Sequence, residues 1–354
     1  MDAFFHDIVS GRLHGWMPEL LRKTLGGCAL AYRTGVATRN LLYDIGLLRA
    51  HGVSVPVISV GNLTLGGTGK TPVVEFACRW FLDRGKRVAI LSRGYGSSAG
   101  LNDEALVLLA NLPQVPHLQG KNRVDLARTA IEQFSPDVLV LDDGFQHRRL
   151  ARDLDLVLVD CTNPFGWGHL FPRGLLREPI ASLKRCDIIA LSRTDHCSTA
   201  ARAEIEAVIQ RIAGPKPWVA IEHRPTSLRS SSGSTQPLTL LANRSVLAFC
   251  GIGNPDAFWS TLRQLGCNPR TTRSFPDHHA YSSNDLRLIE SELQGAKVDL
   301  VITTHKDLVK IPREELGGRP LFALNIQAVV KDDTAQLISR LESLLGAPSV
   351  AEAA

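Results

Sequence analysis

A chain of 354 residues, 44% hydrophobic and 21% charged, has ample apolar material for buried cores and is not of disordered composition. Its length gives two domains as the prior, and its net charge of +5 suits an anionic partner without choosing between phosphorylated substrate, nucleic acid and acidic membrane. No apolar run predicts a transmembrane helix and no signal-peptide pattern opens the chain; seven cysteines without zinc or Cys-x-x-Cys spacing read as reduced cytosolic thiols.

Between Glu19 and Arg49, Leu21, Leu25, Cys28 and Tyr32 fall at helical spacing, and Leu41, Leu42, Ile45 and Leu48 repeat the pattern. Arg22, Lys23, Arg33, Arg39 and Arg49 lie among them, opposed only by Glu19 and Asp44. This predicts a pair of basic amphipathic helices, placed either in a membrane interface or on the protein's own core. Gly26, Gly27 and Gly35 weaken any single long helix here.

From Val55 onward, Val55–Val60, Arg87–Leu91, Val138–Leu141, Leu154–Val159 and Ile188–Leu191 are apolar on both faces, as strands of a covered parallel sheet are. Helices are expected over Pro72–Arg84, Arg123–Phe134 and Ala200–Ala213, which gives a doubly wound α/β arrangement with ligands at the carboxyl ends of the strands. Composition changes near Gly214-Pro215-Lys216-Pro217. Beyond it come a strand at Trp218–His223, a hairpin tip at Arg229–Gln236, and a second α/β set. That set runs through Val246–Cys250, Asp256–Leu265, Ser283–Leu293 and Val298–Thr303; Leu321–Ile326 and a helix over Asp332–Leu345 close the chain.

The strongest chemical motif is Gly61-Asn62-Leu63-Thr64-Leu65-Gly66-Gly67-Thr68-Gly69-Lys70-Thr71, between a strand and a helix. In such a loop Gly66, Gly67, Thr68 and Gly69 let backbone N–H groups close around phosphate oxygens at a helix N-terminus. Lys70 then reaches the β- and γ-phosphates and Thr71 holds Mg²⁺. Thr64 stands where the usual pattern has its first glycine. Asp142-Asp143-Gly144-Phe145-Gln146-His147 follows a buried strand, where a second Mg²⁺-organising carboxylate belongs. Two adjacent carboxylates also call for a cation beside them, and Gln146 and His147 are candidate substrate contacts. In Gly168–Pro179, Arg177 is suited to charge on a transferring phosphoryl group, while Glu178 is either a metal ligand or the partner of Arg177. Asn102-Asp103-Glu104 and Phe275–Tyr281, the latter placing Asp277 beside His278 and His279, carry little specificity alone.

Taken together, these segments resemble the tetraacyldisaccharide 4'-kinases, the lipid A 4'-kinase family. The resemblance rests on Gly61–Pro72, Ser92-Arg93-Gly94-Tyr95-Gly96, Asp103-Glu104, Asp142–His147, Arg173–Pro179, Gly251-Ile252-Gly253-Asn254-Pro255 and Phe275–Tyr281. It implies two α/β/α domains joined by a two-stranded linker, with the active site in the cleft. The expected division is an N-terminal amphipathic segment (1–52), a P-loop kinase domain (53–216), linker strands with a second, smaller α/β domain (217–328), and a C-terminal helix and tail (329–354). The resemblance further implies ATP and Mg²⁺ as cofactors and a tetraacylated glucosamine disaccharide 1-phosphate as acceptor. It also implies a peripheral place on the cytoplasmic face of a bacterial inner membrane. No nucleic-acid partner is expected, because the sequence shows no aromatic-basic platform or recognised nucleic-acid module.

By the same resemblance, Lys70 and Thr71 keep their loop functions and Glu178 is similar to a Mg²⁺ ligand. Asp103 is similar to the carboxylate that activates the sugar hydroxyl, with His278 as its partner. Asp142, Asp143, Arg177 and Arg123 resemble residues of the phosphate and substrate region, and Tyr95, Gln146 and His147 resemble substrate contacts. The competing reading is a deviant P-loop GTPase or ATPase acting as a metallochaperone or switch. It rests on Ser192-Arg193-Thr194-Asp195, which ends a strand where GTPases read guanine.

Overall fold

The computed structural model describes residues 3–94, 102–295, 297–331 and 334–346. Helices α1 (Ala3–Val9) and α2 (Trp16–Asp44) precede β1 (Val57–Asn62), α3 (Lys70–Leu82), β2 (Val88–Ser92), α4 (Asp103–Asn111) and β3 (His117–Gln119). Then come α5 (Arg123–Phe134), β4 (Val138–Asp142), β5 (Leu154–Asp160), β6 (Ile188–Ser192), α6 (Thr199–Ala213) and β7 (Trp218–Arg229). The chain continues through β8 (Thr235–Gln236), β9 (Val246–Cys250), α7 (Pro255–Gln264), β10 (Thr271–Ser274), α8 (Ser283–Gly295) and β11 (Leu300–Thr304). It ends with α9 (His305–Leu308), β12 (Glu315–Leu316), β13 (Arg319–Val330) and α10 (Thr334–Ser343).

The chain divides into a larger unit, residues 2–95, 114–223 and 328–354, and a smaller one, residues 96–113 and 224–327. It passes between them within β7 and β13, and again at residues 113–114. Segment 102–113 therefore groups with the smaller unit although it lies in sequence between β2 and β3 of the larger one.

In the larger unit the strand order is β3-β2-β4-β1-β5-β6-β7, all parallel. Strands β1, β4, β5 and β6 are buried along their whole length, because helices cover both faces. Consecutive strands β4 and β5 lie on opposite sides of β1. The carboxyl end of β1 is thus the point where strand order reverses, the usual place for a ligand in an open α/β sheet.

The smaller unit orders β10-β9-β11-β13, again parallel. Leu286, Ile289 and Leu293 of α8 pack in one core cluster with Leu247 and Phe249 of β9, while Phe258 and Leu262 of α7 pack in another with Val246 and Ala248. The sheet is covered on both faces. The expected hairpin forms, with Leu228 opposite Gln236 and Arg229 opposite Thr235.

One expectation is corrected. Residues 16–44 form a single helix of 29 residues, not a pair, and Gly26, Gly27 and Gly35 lie within it. Glycine in a helix costs about 1 kcal/mol relative to alanine, a weak preference that tertiary contacts override. Those contacts fall on a face of mixed character. Ala29 and Val36 are buried and Arg39 and Asn40 half-buried, whereas Trp16, Met17, Leu20, Leu30, Leu41 and Ile45 are exposed. The helix docks chiefly through small and polar residues and leaves many of its large apolar side chains exposed.

Candidate active site

Strand β1 ends at Asn62 and α3 begins at Lys70, so the seven residues between them form the loop at the strand-order switch. Gly69, the residue before the helix, has φ 82°, and a Cβ there would lie 2.3 Å from the His223 ring. Only glycine fits both demands. His223 Nε2 lies 3.2 Å from the Gly69 carbonyl oxygen. Lys70 Nζ donates to Asn62 Oδ1 at 3.3 Å and stands 3.8 Å from Asp143 Oδ1.

A second segment lies along this loop. Leu65 N–H donates to the Leu175 carbonyl at 2.8 Å and Arg177 N–H to the Leu63 carbonyl at 2.7 Å. This pairing carries the Arg177 side chain into the site, where its Nη1 donates to Asp143 Oδ1 at 2.6 Å and to Asn62 Oδ1 at 3.3 Å. Asp143 follows β4 in the left-handed region, φ 58°. Burial raises its pKa, but the charges of Lys70, Arg177 and Arg123 outweigh that and hold it at about 2. The cation that adjacent carboxylates demand is supplied, for Asp143, by Lys70 and Arg177.

Asp142 is buried at the end of β4, and Arg123 is buried in the first turn of α5. Gln146 Nε2 donates to the Asn62 carbonyl at 2.8 Å. Burial, then the charges of Arg123, Arg152, Arg149 and Arg93, push the His147 imidazole down to about 4, so it is neutral at physiological pH. Tyr95 lies outside the described residues. Asn62, which the motif reading passed over as one more loop residue, takes hydrogen bonds from both Lys70 and Arg177.

Glu178 departs from expectation. Its side chain is 0% exposed, with Oε1 accepting from Arg39 Nη2 at 2.6 Å and Oε2 from Asn40 Nδ2 at 3.1 Å and Arg185 Nη2 at 2.9 Å. A carboxylate already shared by two guanidinium groups and an amide does not fit a Mg²⁺ ligand in this arrangement, because the dication would sit against two positive charges.

The segment behind the switch reading is occupied by structural work. Ser192 Oγ donates to the Thr68 carbonyl at 2.9 Å, and Arg193 pairs with Asp160 and donates to the Gly67 carbonyl. Exposed Asp195 pairs with its neighbour His196 at 3.2 Å.

A second charged cluster belongs to the smaller unit. Asn102 caps α4, accepting from Ala105 N–H at 3.0 Å, so Asp103 and Glu104 sit in the first turn where carboxylates favour the helix dipole. Asp103 Oδ2 is 3.1 Å from His278 Nδ1 and accepts from Lys310 Nζ at 3.2 Å. Lys306 Nζ stands 3.3 Å from His278 Nε2, 3.4 Å from Asp277 Oδ1 and 3.6 Å from Glu104 Oε1. An ammonium only donates, so Nε2 accepts and the ring proton faces Asp103. Burial raises the Asp103 pKa, but the His278 hydrogen bond and the two lysines bring it to about 2. The same hydrogen bond raises His278, against burial and Lys306.

His278 has φ 61°, a left-handed conformation uncommon outside glycine and held here by its surroundings. Lys310 also pairs with Asp307 at 3.2 Å, and buried Asp307 accepts from Gly251 N–H at 2.9 Å. The glycines of Gly251–Pro255 have a reason: a Cβ at Gly253 would come 3.1 Å from Asp277, and one at Gly251 3.1 Å from Asp307. Sequence reading brought Asp103 and His278 together by resemblance but missed Lys306 and Lys310. They lie on α9 and just beyond it, without a motif to mark them.

The larger unit's loop fits a bound nucleoside triphosphate. Buried Thr68 Oγ1 has no hydrogen-bond partner among the described residues, Lys70 closes the loop, and Thr71 with Asp142 offers oxygen donors suited to Mg²⁺. A doubly wound sheet with this loop at its switch point, beside Asp143 and Arg177, defines a phosphate-loop nucleotide-binding protein. Residues 21–345 match the family model described as "Tetraacyldisaccharide-1-P 4'-kinase". The tetraacyldisaccharide 4'-kinase of Anaeromyxobacter dehalogenans is 41% identical over 298 residues, 79% of each chain. That of Syntrophus aciditrophicus is 40% identical over 331 residues, 86% of this chain and 88% of its own. LpxK from Aquifex aeolicus, solved in complex with ATP, superposes with a TM-score of 0.73 at 30% identity, covering 92% of this chain and 99% of that one. The chain belongs to the tetraacyldisaccharide-1-P 4'-kinase family and is a kinase.

Proposed function

We propose that the chain transfers the γ-phosphate of ATP to the 4'-hydroxyl of a tetraacylated glucosamine disaccharide 1-phosphate, the step of lipid A assembly that yields the bisphosphate. The observation that carries this reading is the convergence of Lys70, Arg177 and Asp143 at the carboxyl end of β1. Lys70 places positive charge on the β,γ region, and Arg177 is placed to take charge that spreads over the transferring oxygens. Thr71 and Asp142, which ends β4, would hold Mg²⁺, and the ion would supply further positive charge to the same phosphates. Neutral His147, Gln146, Arg123 and Tyr95 serve the substrate side.

Asp103 acts on the acceptor. At about 2 its pKa makes it a weak base, so it cannot strip a sugar hydroxyl in advance. Its service is to hold the hydroxyl in line and to take the proton as the oxygen bonds to phosphorus and becomes acidic. A loose transition state asks little more of the nucleophile. His278, with its proton on Nδ1, orients that carboxylate.

The outward apolar face of α2 supports peripheral attachment to the cytoplasmic face of the inner membrane. Exposed Trp16, Leu20, Leu30 and Leu41 insert, and the arginines and lysine among them attract anionic lipid. Among the described residues, no helix is long and apolar enough to cross a membrane. Incubation with ATP, Mg²⁺ and the disaccharide monophosphate should yield the bisphosphate; no transfer to that acceptor would end the reading. Flotation with anionic vesicles tests the membrane part. Leu20→Ser/Leu30→Ser/Leu41→Ser should move the protein to the soluble fraction, and unchanged flotation would reject attachment through this face.

A further inference from the structure

We propose that helix α2 is a positioning element of the phosphoryl-transfer site, acting through Tyr32, Arg39 and Asn40 on Arg177 and Glu178. Tyr32 Oη donates to the Arg177 carbonyl at 3.0 Å, while Arg39 and Asn40 take the two carboxylate oxygens of Glu178 at 2.6 and 3.1 Å. On its other side, residue 177 is bound to the phosphate loop, by its N–H to the Leu63 carbonyl at 2.7 Å and by its guanidinium to Asp143 and Asn62. Residues 177–178 are therefore clamped between the loop and the helix. A displacement of α2 reaches the Arg177 guanidinium through two consecutive residues and no flexible linker.

The register of α2 is fixed at a second point. Arg148 Nη1 donates to the Asn40 carbonyl at 3.0 Å and Nη2 to Asp44 Oδ1 at 2.7 Å, with the guanidinium 4.9 Å from the centre of the Tyr43 ring. Positions 32, 36, 39, 40 and 43 share one face, and apolar Leu30, Leu41 and Ile45 are exposed away from these contacts. A helix kept only for its lipid-facing side needs no such clamp.

Glu178 shows why the contact is conditional. A fully buried carboxylate is tolerable only while its cations are in place, and one of the two guanidinium groups, Arg39, is brought by α2. The burial of Glu178, and with it the path of the backbone carrying Arg177, depends on the helix being docked. Misplacing a catalytic group by about 1 Å costs on the order of 10²-fold in rate. The inference rests on the kinase reading and adds to it a dependence of Arg177 on α2.

The test is a mutant cycle in detergent micelles with ATP, Mg²⁺ and the acylated disaccharide monophosphate. Arg39→Met should lower kcat by about 10²-fold and Tyr32→Phe by about 10-fold, with the KM for ATP little changed. In an Arg177→Met background neither should lower kcat further, because residues acting through one group are non-additive. Arg39→Lys, which restores a cation opposite Glu178, should recover part of the loss, and exposed Thr34→Ala should match the unmodified chain. Unchanged kcat in Arg39→Met and Tyr32→Phe would overturn the proposal, as would the same fold-loss on top of Arg177→Met. Should Arg39→Met prove too unstable to assay, the milder Tyr32→Phe cycle decides by itself. Absence of transfer by the unmodified chain would instead strike the kinase reading, leaving the two failures distinguishable.

Discussion

Two carboxylates, one in each unit, are held at about 2 by different kinds of neighbour. Burial works against ionisation in both. Asp143 is kept ionised by Lys70, Arg177 and Arg123, all charged across the physiological range. It holds Lys70 and Arg177 in place, and arriving phosphates compete for the same cations. Asp103 is kept ionised by a hydrogen bond from His278 and by Lys310 and Lys306, so part of its environment is an imidazole, whose own pKa the same hydrogen bond raises. On the proposed function, the difference separates tasks: a fixed electrostatic cradle for a polyanion, and an adjustable pair for a group that accepts a proton.

The comparison is broken most severely at Lys70. Lys70→Ala should cost on the order of 10³-fold or more in kcat, since no other loop residue places charge on the β,γ region, and ATP binding should weaken too. Wild-type turnover in that variant would remove the cradle from the mechanism. Next comes Asp103→Ala, which should lower kcat by roughly 10²–10⁴-fold with ATP affinity nearly unchanged. His278→Ala should behave similarly, and the double variant should be scarcely worse than either. Multiplicative defects would show that the two do not act as one unit.

The smallest effect sharpens the contrast. The His278 imidazole should titrate above 6.5, fall on Asp103→Asn, and rise further on Lys306→Met, because Asp103 raises it and Lys306 opposes that. NMR of the ring protons reads all three, and a midpoint insensitive to both changes would dissolve the pair. The linkage has opposite signs in the two units. His278, raised in the folded chain, adds stability that is complete below 6.5 and fades as pH rises through the folded value. Asp143, depressed, adds stability present above 3.8 and lost only as pH falls towards about 2.

The sequence by itself determined whatever is local or periodic. Buried strands read as apolar runs, the loop read as glycines before Lys70, and the resemblance covered most of the chain because its motifs are contiguous. Tertiary structure decided what depends on which face meets which. That 16–44 is one helix, despite three glycines, follows from docking that outweighs a local preference of about 1 kcal/mol per residue. That Glu178 faces Arg39 and Arg185 follows from contacts spanning well over a hundred residues of chain on the Arg39 side. Lys306 and Lys310 could not be distinguished from any other lysine in sequence, since only the packing of α4 near α9 brings them to Asp103. Charge is written in the residue type; its effect is set by distance and burial, and those exist only once the chain is folded.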